Sequence, residues 1–223
     1  MCAYNTDSSA GKTPVFQLHR MSKDEFRQLE ISFTISDSPF GRMVIASTEK
    51  GICYLSFGEN TTEGLQRRFP FSLMKQTENT LIEEVKKIVE KWGNTSAMSE
   101  NTSLVKISEE KRIQATDDST TFNNMPLPLH LYGTEFQVEV WHQLLSIPFA
   151  QLTTYKAIAE QSGRPKAVRA TGTAIGNNPI ALLIPCHRVV TSAGKTGGYR
   201  WGMALKLKLI ELEKSLNIVD SSI

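Results

Sequence analysis

Apolar positions recur with a period of two between Glu30 and Phe57 and with a period near 3.6 from Thr80 onward. In the first region EISFTIS alternates, SPFG marks a turn, and RMVIAST and GICYLSF flank a Glu49-Lys50-Gly51 turn, which predicts a strand meander with one buried face. Over 80–92, Leu81, Val85, Ile88, Val89 and Trp92 share a helical stripe, with Thr80 as cap and Gly93 as stop. Thr134 and Gln137 have capping-box spacing ahead of a helix whose stripe is Phe136, Val140, Leu144 and Leu145, followed by Pro148. LTTYKAIAEQSG reads as a short helix stopped by Gly163, and Arg164-Pro165 opens another with proline in the favoured first position. Two short helices around a glycine-containing turn predict a helix-turn-helix. Ile180–Ile184 reads as strand-like. The last amphipathic helix runs from about Met203 to Leu216, with Leu207, Ile210 and Leu209 or Leu212 inward.

Two segments lack such periodicity. Residues 1–28 are polar and read as a flexible tail. Residues 94–130, rich in Ser, Thr, Asn and Glu up to 128, read as an insertion or linker, because such a stretch buries too little apolar area to offset its ordering entropy. Pro126 and Pro128 fix an extended entry into the second half of the chain. The predicted organisation is thus a tail, a domain over 29–93, the insertion, and a second domain over 131–223. With 40% hydrophobic residues in 223, both domains can build a core. No apolar run is long enough to span a bilayer and no signal-peptide pattern opens the chain, so no membrane association is expected. Three cysteines, Cys2, Cys53 and Cys186, suggest neither a disulfide framework nor a four-cysteine zinc site.

The net charge of +2 says little until it is divided. Residues 1–132 sum to −2, whereas 153–208 hold nine basic residues against one acidic, Glu160. That stretch is either a polyanion-binding surface or a solvated face balanced from elsewhere in the fold. The helix over 166–176 is small-sided, with Ala167, Ala170, Gly172, Ala174 and Gly176. Small side chains permit either close helix packing or close approach to a ligand. Arg169 among them favours a nucleic-acid surface.

The candidate chemistry centres on Cys186. It lies in Ile184-Pro185-Cys186-His187-Arg188-Val189, and a thiol becomes a nucleophile at neutral pH when a base or cation adjoins it. His187 is the candidate base and Glu213 the residue that orients it, by triad logic. A lone cysteine after an apolar run is more often an inert core residue. Cys53 fits that description, mid-strand with no His, Lys or Arg beside it in sequence.

From Gly133 to Glu213 the chain resembles the catalytic domain of the O6-alkylguanine-DNA alkyltransferases, the methylated-DNA–protein-cysteine methyltransferases. The residues that carry the resemblance are GTEFQVEVW, IP followed by TTYKAIA, GRPKAVRA, GNNP, IPCHRVV, and GYRWG followed by KLKLIELE. More weakly, Ile31–Gly93 resembles the family's N-terminal ribonuclease-H-like domain, best in GRMVIASTEKGICYLSFGE. GYRWG resembles the catalytic half of the Ada-type proteins; their extra N-terminal module has no counterpart in these residues. The resemblance implies an α/β (α+β) fold, with a ribonuclease-H-like domain followed by a mostly helical, winged-helix-like domain.

It also implies a set of roles. Cys186 accepts the alkyl group from O6 of guanine, and of O4-methylthymine, once per molecule, with no cofactor. His187 deprotonates it through a water, and Glu213 sets the tautomer of His187. Tyr155 donates to the base ring. Lys166, Arg169, Ala170 and Thr171 meet DNA, with the helix in the minor groove and Arg169 filling the gap left by the flipped nucleotide. Asn178 braces the cysteine loop, while Val189, Arg200, Trp201 and Lys206 lie at the substrate pocket. The implied partner is double-stranded DNA carrying O6-alkylguanine, bound by a monomer in the bacterial cytoplasm or the eukaryotic nucleus. Two departures stand out: Arg200 and Trp201 replace a small residue and glycine, and Ala181 stands where some relatives have proline. A Trp201 beside the pocket is expected to narrow it and disfavour benzyl-sized groups. No Cys/His cluster supports a structural zinc, since His19, His130 and His142 are isolated in sequence. The alternative reading is an alkyltransferase-like protein that binds alkylated DNA without accepting the group; such proteins lack the cysteine that Cys186 supplies.

Overall fold

A computed structural model describes residues 16–59, 61–100, 121–122 and 125–220. The predicted meander forms as strands β2 (Glu30–Ser36), β3 (Met43–Thr48) and β4 (Gly51–Phe57), paired antiparallel in sequence order. β3 and β4 are buried throughout rather than on one face, since helices cover them as well. One side holds Ile45, Leu55 and Val85 in the larger core; the other holds Val44, Tyr54, Leu65 and Phe69.

The sheet is wider than the meander. β1 (Phe16–Arg20) pairs in parallel with β7 (Met125–Leu131), β7 lies beside β4, and β5 (Leu73–Gln76) closes the far edge, giving the order β1-β7-β4-β3-β2-β5. A short β6 (Thr121–Phe122) pairs with β7. Two boundaries expected from the sequence are corrected by the fold. Residues 16–28 are not a tail: after β1 comes helix α1 (Lys23–Arg27), whose Ser22 and Glu25 form a capping box. The insertion is shorter than 94–130, because β7 is an internal strand with Leu127, Leu129 and Leu131 in the core. Alternating prolines hid it: Pro126 and Pro128 lack amide donors, which argues against a central strand. Residues 1–15, 101–120 and 123–124, over which the tail and insertion readings also extend, lie outside the described residues.

Helix α2 (Thr61–Arg68) covers one face, and α3 runs Thr80–Glu100, past the expected stop at Gly93. Gly93 is buried within α3, and a Cβ there would come within 2.0 Å of Pro39, so contact rather than termination explains the glycine. In the second half α4 (Glu135–Leu145) has the predicted capping box from Thr134 and Gln137. A two-residue strand, β8 (Thr153–Thr154), leads into α5 (Tyr155–Gln161) and pairs with β9 (Val189–Val190). α6 is Val168–Gly176, so Pro165 lies in the preceding turn rather than at a first helical position. α7 spans Met203–Asp220 with Leu209, Ile210 and Leu212 buried, whereas Leu207, expected inward, is exposed.

Candidate active site

The run Ile180–Ile184 is a buried turn rather than a strand. Its start is pinned to the sheet, with the Leu55 amide donating to Pro179 O (3.1 Å) and the Ala181 amide to Leu55 O (2.8 Å). Leu182 then takes a positive φ of 64°, a conformation costly for a branched side chain and tolerated here because packing over-determines it. The chain emerges into a single 3-10 turn, Cys186–Arg188. The Asn178 amide fixes this geometry from below: Nδ2 donates to Ile184 O (2.9 Å) and to Cys186 Sγ (3.1 Å), while Oδ1 accepts from the Ile180 amide (2.9 Å).

Cys186 is 4% exposed and opens onto a cleft of about 540 Å³ walled by Tyr155, Gly172, Ile175, Gly176, Asn177, Gly198, Tyr199 and Arg200. Burial pushes the thiol up to about 11, partly offset by the Asn178 hydrogen bond and the charges of Lys206 and Arg200. Tyr155 sits between the α6 backbone and Gly197, where a Cβ would fall 2.7 Å from its hydroxyl; Gly197 also has φ +65°. Burial, then the adjoining sulfur, raises both Tyr155 and Tyr199, so both phenols stay protonated.

Behind the thiol lies a closed ionic group. His187 Nε2 is 2.7 Å from Glu213 Oε1. Arg188 grips the same carboxylate through Nε (2.9 Å to Oε2) and Nη2 (2.9 Å to Oε1), and donates to Ile147 O. The Ala150 amide supplies a further donor to Glu213 at 3.0 Å. Burial pushes Glu213 up, but His187 and Arg188 outweigh it and hold the carboxyl below its ordinary range. Burial pushes His187 down against the pull of Glu213, leaving it neutral at pH 7. An ionised carboxylate only accepts, so Nε2 carries the proton and Nδ1 the lone pair. His187 Nδ1 is buried and has no hydrogen-bond partner among the described residues, as a general base needs. Trp92 of α3 meets the His187 ring edge-on at 6.3 Å.

Residues 135–215 match the 6-O-methylguanine DNA methyltransferase DNA-binding domain, and 31–91 match its ribonuclease-like domain. The inducible methylated-DNA–protein-cysteine methyltransferase of Bacillus subtilis is 34% identical over 76% of this chain and 83% of its own length. This chain belongs to the 6-O-methylguanine DNA methyltransferase family. The bifunctional transcriptional activator/DNA repair enzyme Ada of Escherichia coli is 30% identical over 93% of this chain and 53% of its own length. The chain therefore spans about half the length of the curated relatives it first matches. The solved Mycobacterium tuberculosis OGT in complex with DNA aligns with a TM-score of 0.60 and 29% identity, over 85% of this chain and 99% of that one.

Within this family, the sequence-derived residues divide. Cys186, His187, Glu213, Tyr155 and Asn178 come together as one site. Lys166, Arg169 and Ala170 are exposed along the turn and helix that succeed α5, but Thr171 is fully buried, with its hydroxyl turned back to Ala167 O (3.1 Å). Thr171 thus has no surface to offer a ligand. Arg200 lines the cleft. Trp201 does not: its indole N–H donates to Ser56 Oγ (2.8 Å) and its ring meets Tyr199 edge-on, so the expected narrowing is absent. Lys206 is buried with Nζ on Val189 O (2.7 Å) and on Thr196 O, so Lys206 and Val189 stand behind the cleft as a brace for the cysteine loop. Sequence reasoning passes over Arg188 and Tyr199, both within quoted motifs. Nothing in the spacing tells that Arg188 turns inward to Glu213.

Proposed function

We propose that this chain repairs DNA by moving the alkyl group of O6-alkylguanine, and of O4-methylthymine, onto its own Cys186, once per molecule. The observation that carries the proposal is a cleft-lining thiol held by Asn178 beside a neutral histidine whose Nδ1 is free and whose Nε2–H is anchored on a buried carboxylate. His187 Nδ1 takes the Cys186 proton through a water. The thiolate attacks the alkyl carbon in line, a C–S bond forms, the C–O6 bond breaks, and the electron pair leaves with guanine, which takes up a proton. Tyr155 donates to the base as its charge grows. The thioether has no route back, so catalyst and acceptor are consumed together.

The atom attacked is out of reach inside a duplex, so the nucleotide rotates into the cleft at a cost of about a few kcal/mol. α6 lies beside the cleft through Gly172, Gly176 and Ile175, and the exposed Arg164, Lys166 and Arg169 have no ion-pair partner among the described residues. This supports minor-groove entry of α6 with Arg169 in the vacated stack. The test is intact-mass spectrometry after incubation with duplex DNA carrying one O6-methylguanine. One methyl per protein, on Cys186 and absent from Cys186→Ala, is expected. Lesion binding without mass gain would favour the binding-only reading. Lesion loss without mass gain would mean turnover, and would overturn the proposal.

A further inference from the structure

The cleft wall holds one cation that the reaction above does not use. Arg200 stands in the same wall as Cys186, Tyr155 and Tyr199, and none of the wall residues is acidic. Its guanidinium makes no ion pair among the described residues; its one side-chain hydrogen bond is a long contact from Nη1 to Asn178 O (3.5 Å). It lies 6.0 Å over the Trp201 ring, and Trp201 is itself tied to Ser56. The other cation near the sulfur, Lys206, is turned away onto two carbonyls. Arg200 is close enough for its charge to favour the Cys186 thiolate. An exposed guanidinium with free donors, in a cleft wall that carries no acid, matches the two oxygens of a carboxylate.

We infer that Arg200 is a specificity-determining residue that makes O6 substituents carrying a carboxylate, such as O6-carboxymethylguanine, good substrates. The inference rests on the alkyl-transfer reading of Cys186. A thiolate approaching a carbon that bears a carboxylate meets like charge, which slows displacement unless a cation sits beside both. Arg200 has that position. The step balances as for methyl: sulfur displaces the CH2 carbon from O6, the carboxylate stays on the transferred group, and guanine leaves with the electron pair and regains a proton. An Arg200–phosphate contact would serve every duplex equally, and this separates the two uses of the same side chain.

The experiment compares single-turnover rates on duplexes carrying O6-carboxymethylguanine, its neutral isostere O6-carbamoylmethylguanine, and O6-methylguanine, for wild type, Arg200→Gln and Arg200→Lys. The readout is the carboxymethyl-to-carbamoylmethyl rate ratio, in which size, folding and DNA affinity cancel. Arg200→Gln is expected to lower it about tenfold, equivalent to about 1.4 kcal/mol, and Arg200→Lys to keep most of it. An unchanged ratio, or equal losses on all three duplexes, overturns the inference. Failure of the wild type to react with O6-methylguanine overturns the alkyl-transfer reading instead.

Discussion

Glu213→Gln separates the two things that Glu213 does. Its carboxylate receives donors from His187, Arg188 and Ala150, and the Arg188 and Glu213 side chains are 3% and 2% exposed. An amide of the same shape has one oxygen. Whichever way it is placed, its NH2 points at a donor, either the Arg188 and His187 pair or the Arg188 and Ala150 pair. The guanidinium keeps Ile147 O but becomes a buried cation without a counter-charge. Breaking such a pair costs about 3–5 kcal/mol, a large share of the roughly 5–15 kcal/mol that stabilises a domain. The chemical loss is distinct: with an amide opposite Nε2, the neutral imidazole is free to move its proton to Nδ1, and the base is gone. Removing the base function slows transfer by about 10²–10⁴-fold. The double variant Arg188→Met, Glu213→Gln removes the stranded cation, so it regains at least half of the lost stability in urea titrations. Its single-turnover methyl transfer stays slow. Two results would refute the reasoning: a single variant within about 1 kcal/mol of wild type, or a double variant reacting at the wild-type rate.

Other outcomes rest on single features. Gly93→Ala gains about 1 kcal/mol of helix propensity but drives a Cβ to 2.0 Å from Pro39, so the urea midpoint should fall; a rise would mean Pro39 is free to move. Arg169→Ala should slow repair of duplex DNA while leaving reaction with free O6-methylguanine base intact, and equal losses on both would remove it from the DNA surface. His130 is buried, bonded through Nδ1 to Thr48, and pushed by burial from 6.5 to about 4. The unfolded chain therefore binds a proton there that the folded chain refuses, as it does at His187. Stability should drop as pH falls from about 6.5 toward 4, by about 1.4 kcal/mol per pH unit from His130, with His187 acting in the same direction; a flat urea midpoint over that window would contradict the burial of His130. With Cys186 near 11 against an ordinary 9.0, its thiolate is about a hundredfold scarcer at pH 7.5. Iodoacetamide should accordingly label it at least that much more slowly than free cysteine, as followed by mass.

Local rules read well from the chain. The alternation in EISFTIS, the capping box at Thr134 and Gln137, and the stripe through Val140 and Leu144 are each settled within a few residues of sequence, and all three hold. The misreadings share a cause. β1 and β7 are distant in sequence and each is too irregular alone; their mutual pairing, Phe16 to Leu127 through Arg20 to Leu131, together with the pairing of β7 to β4 and β6, makes them strands. Gly93 answers to Pro39 from another segment rather than to its own helix, and Leu207 lies on the exposed side of α7. At the site, Cys186, His187 and Glu213 are legible through a resemblance of motifs. The direction of Arg188, the inward turn of Lys206 and the anchoring of Trp201 on Ser56 are not, because each depends on a partner brought by the fold.

Those partners show why the chemistry of the second half needs the first. The cysteine loop hangs from Leu55 of β4, whose amide and carbonyl bond to Pro179 and Ala181. β4 pairs with β7 at Ile52 and Leu129, and by Leu55 the 179–181 segment has taken that partner's place. The loop thus continues the sheet and inherits its rigidity. Ser56, the next residue along, holds Trp201, on whose ring Arg200 rests, and α3 brings Trp92 onto His187. Without the sheet, Leu182 would have no reason to keep its left-handed backbone, and the thiol would lose the burial that raises it above its ordinary value. For the proposed transfer a raised thiol is an advantage: the sulfur stays inert toward stray electrophiles until His187 takes its proton. The ribonuclease-like half contributes no reacting atom, yet it fixes the conformation in which the thiol waits.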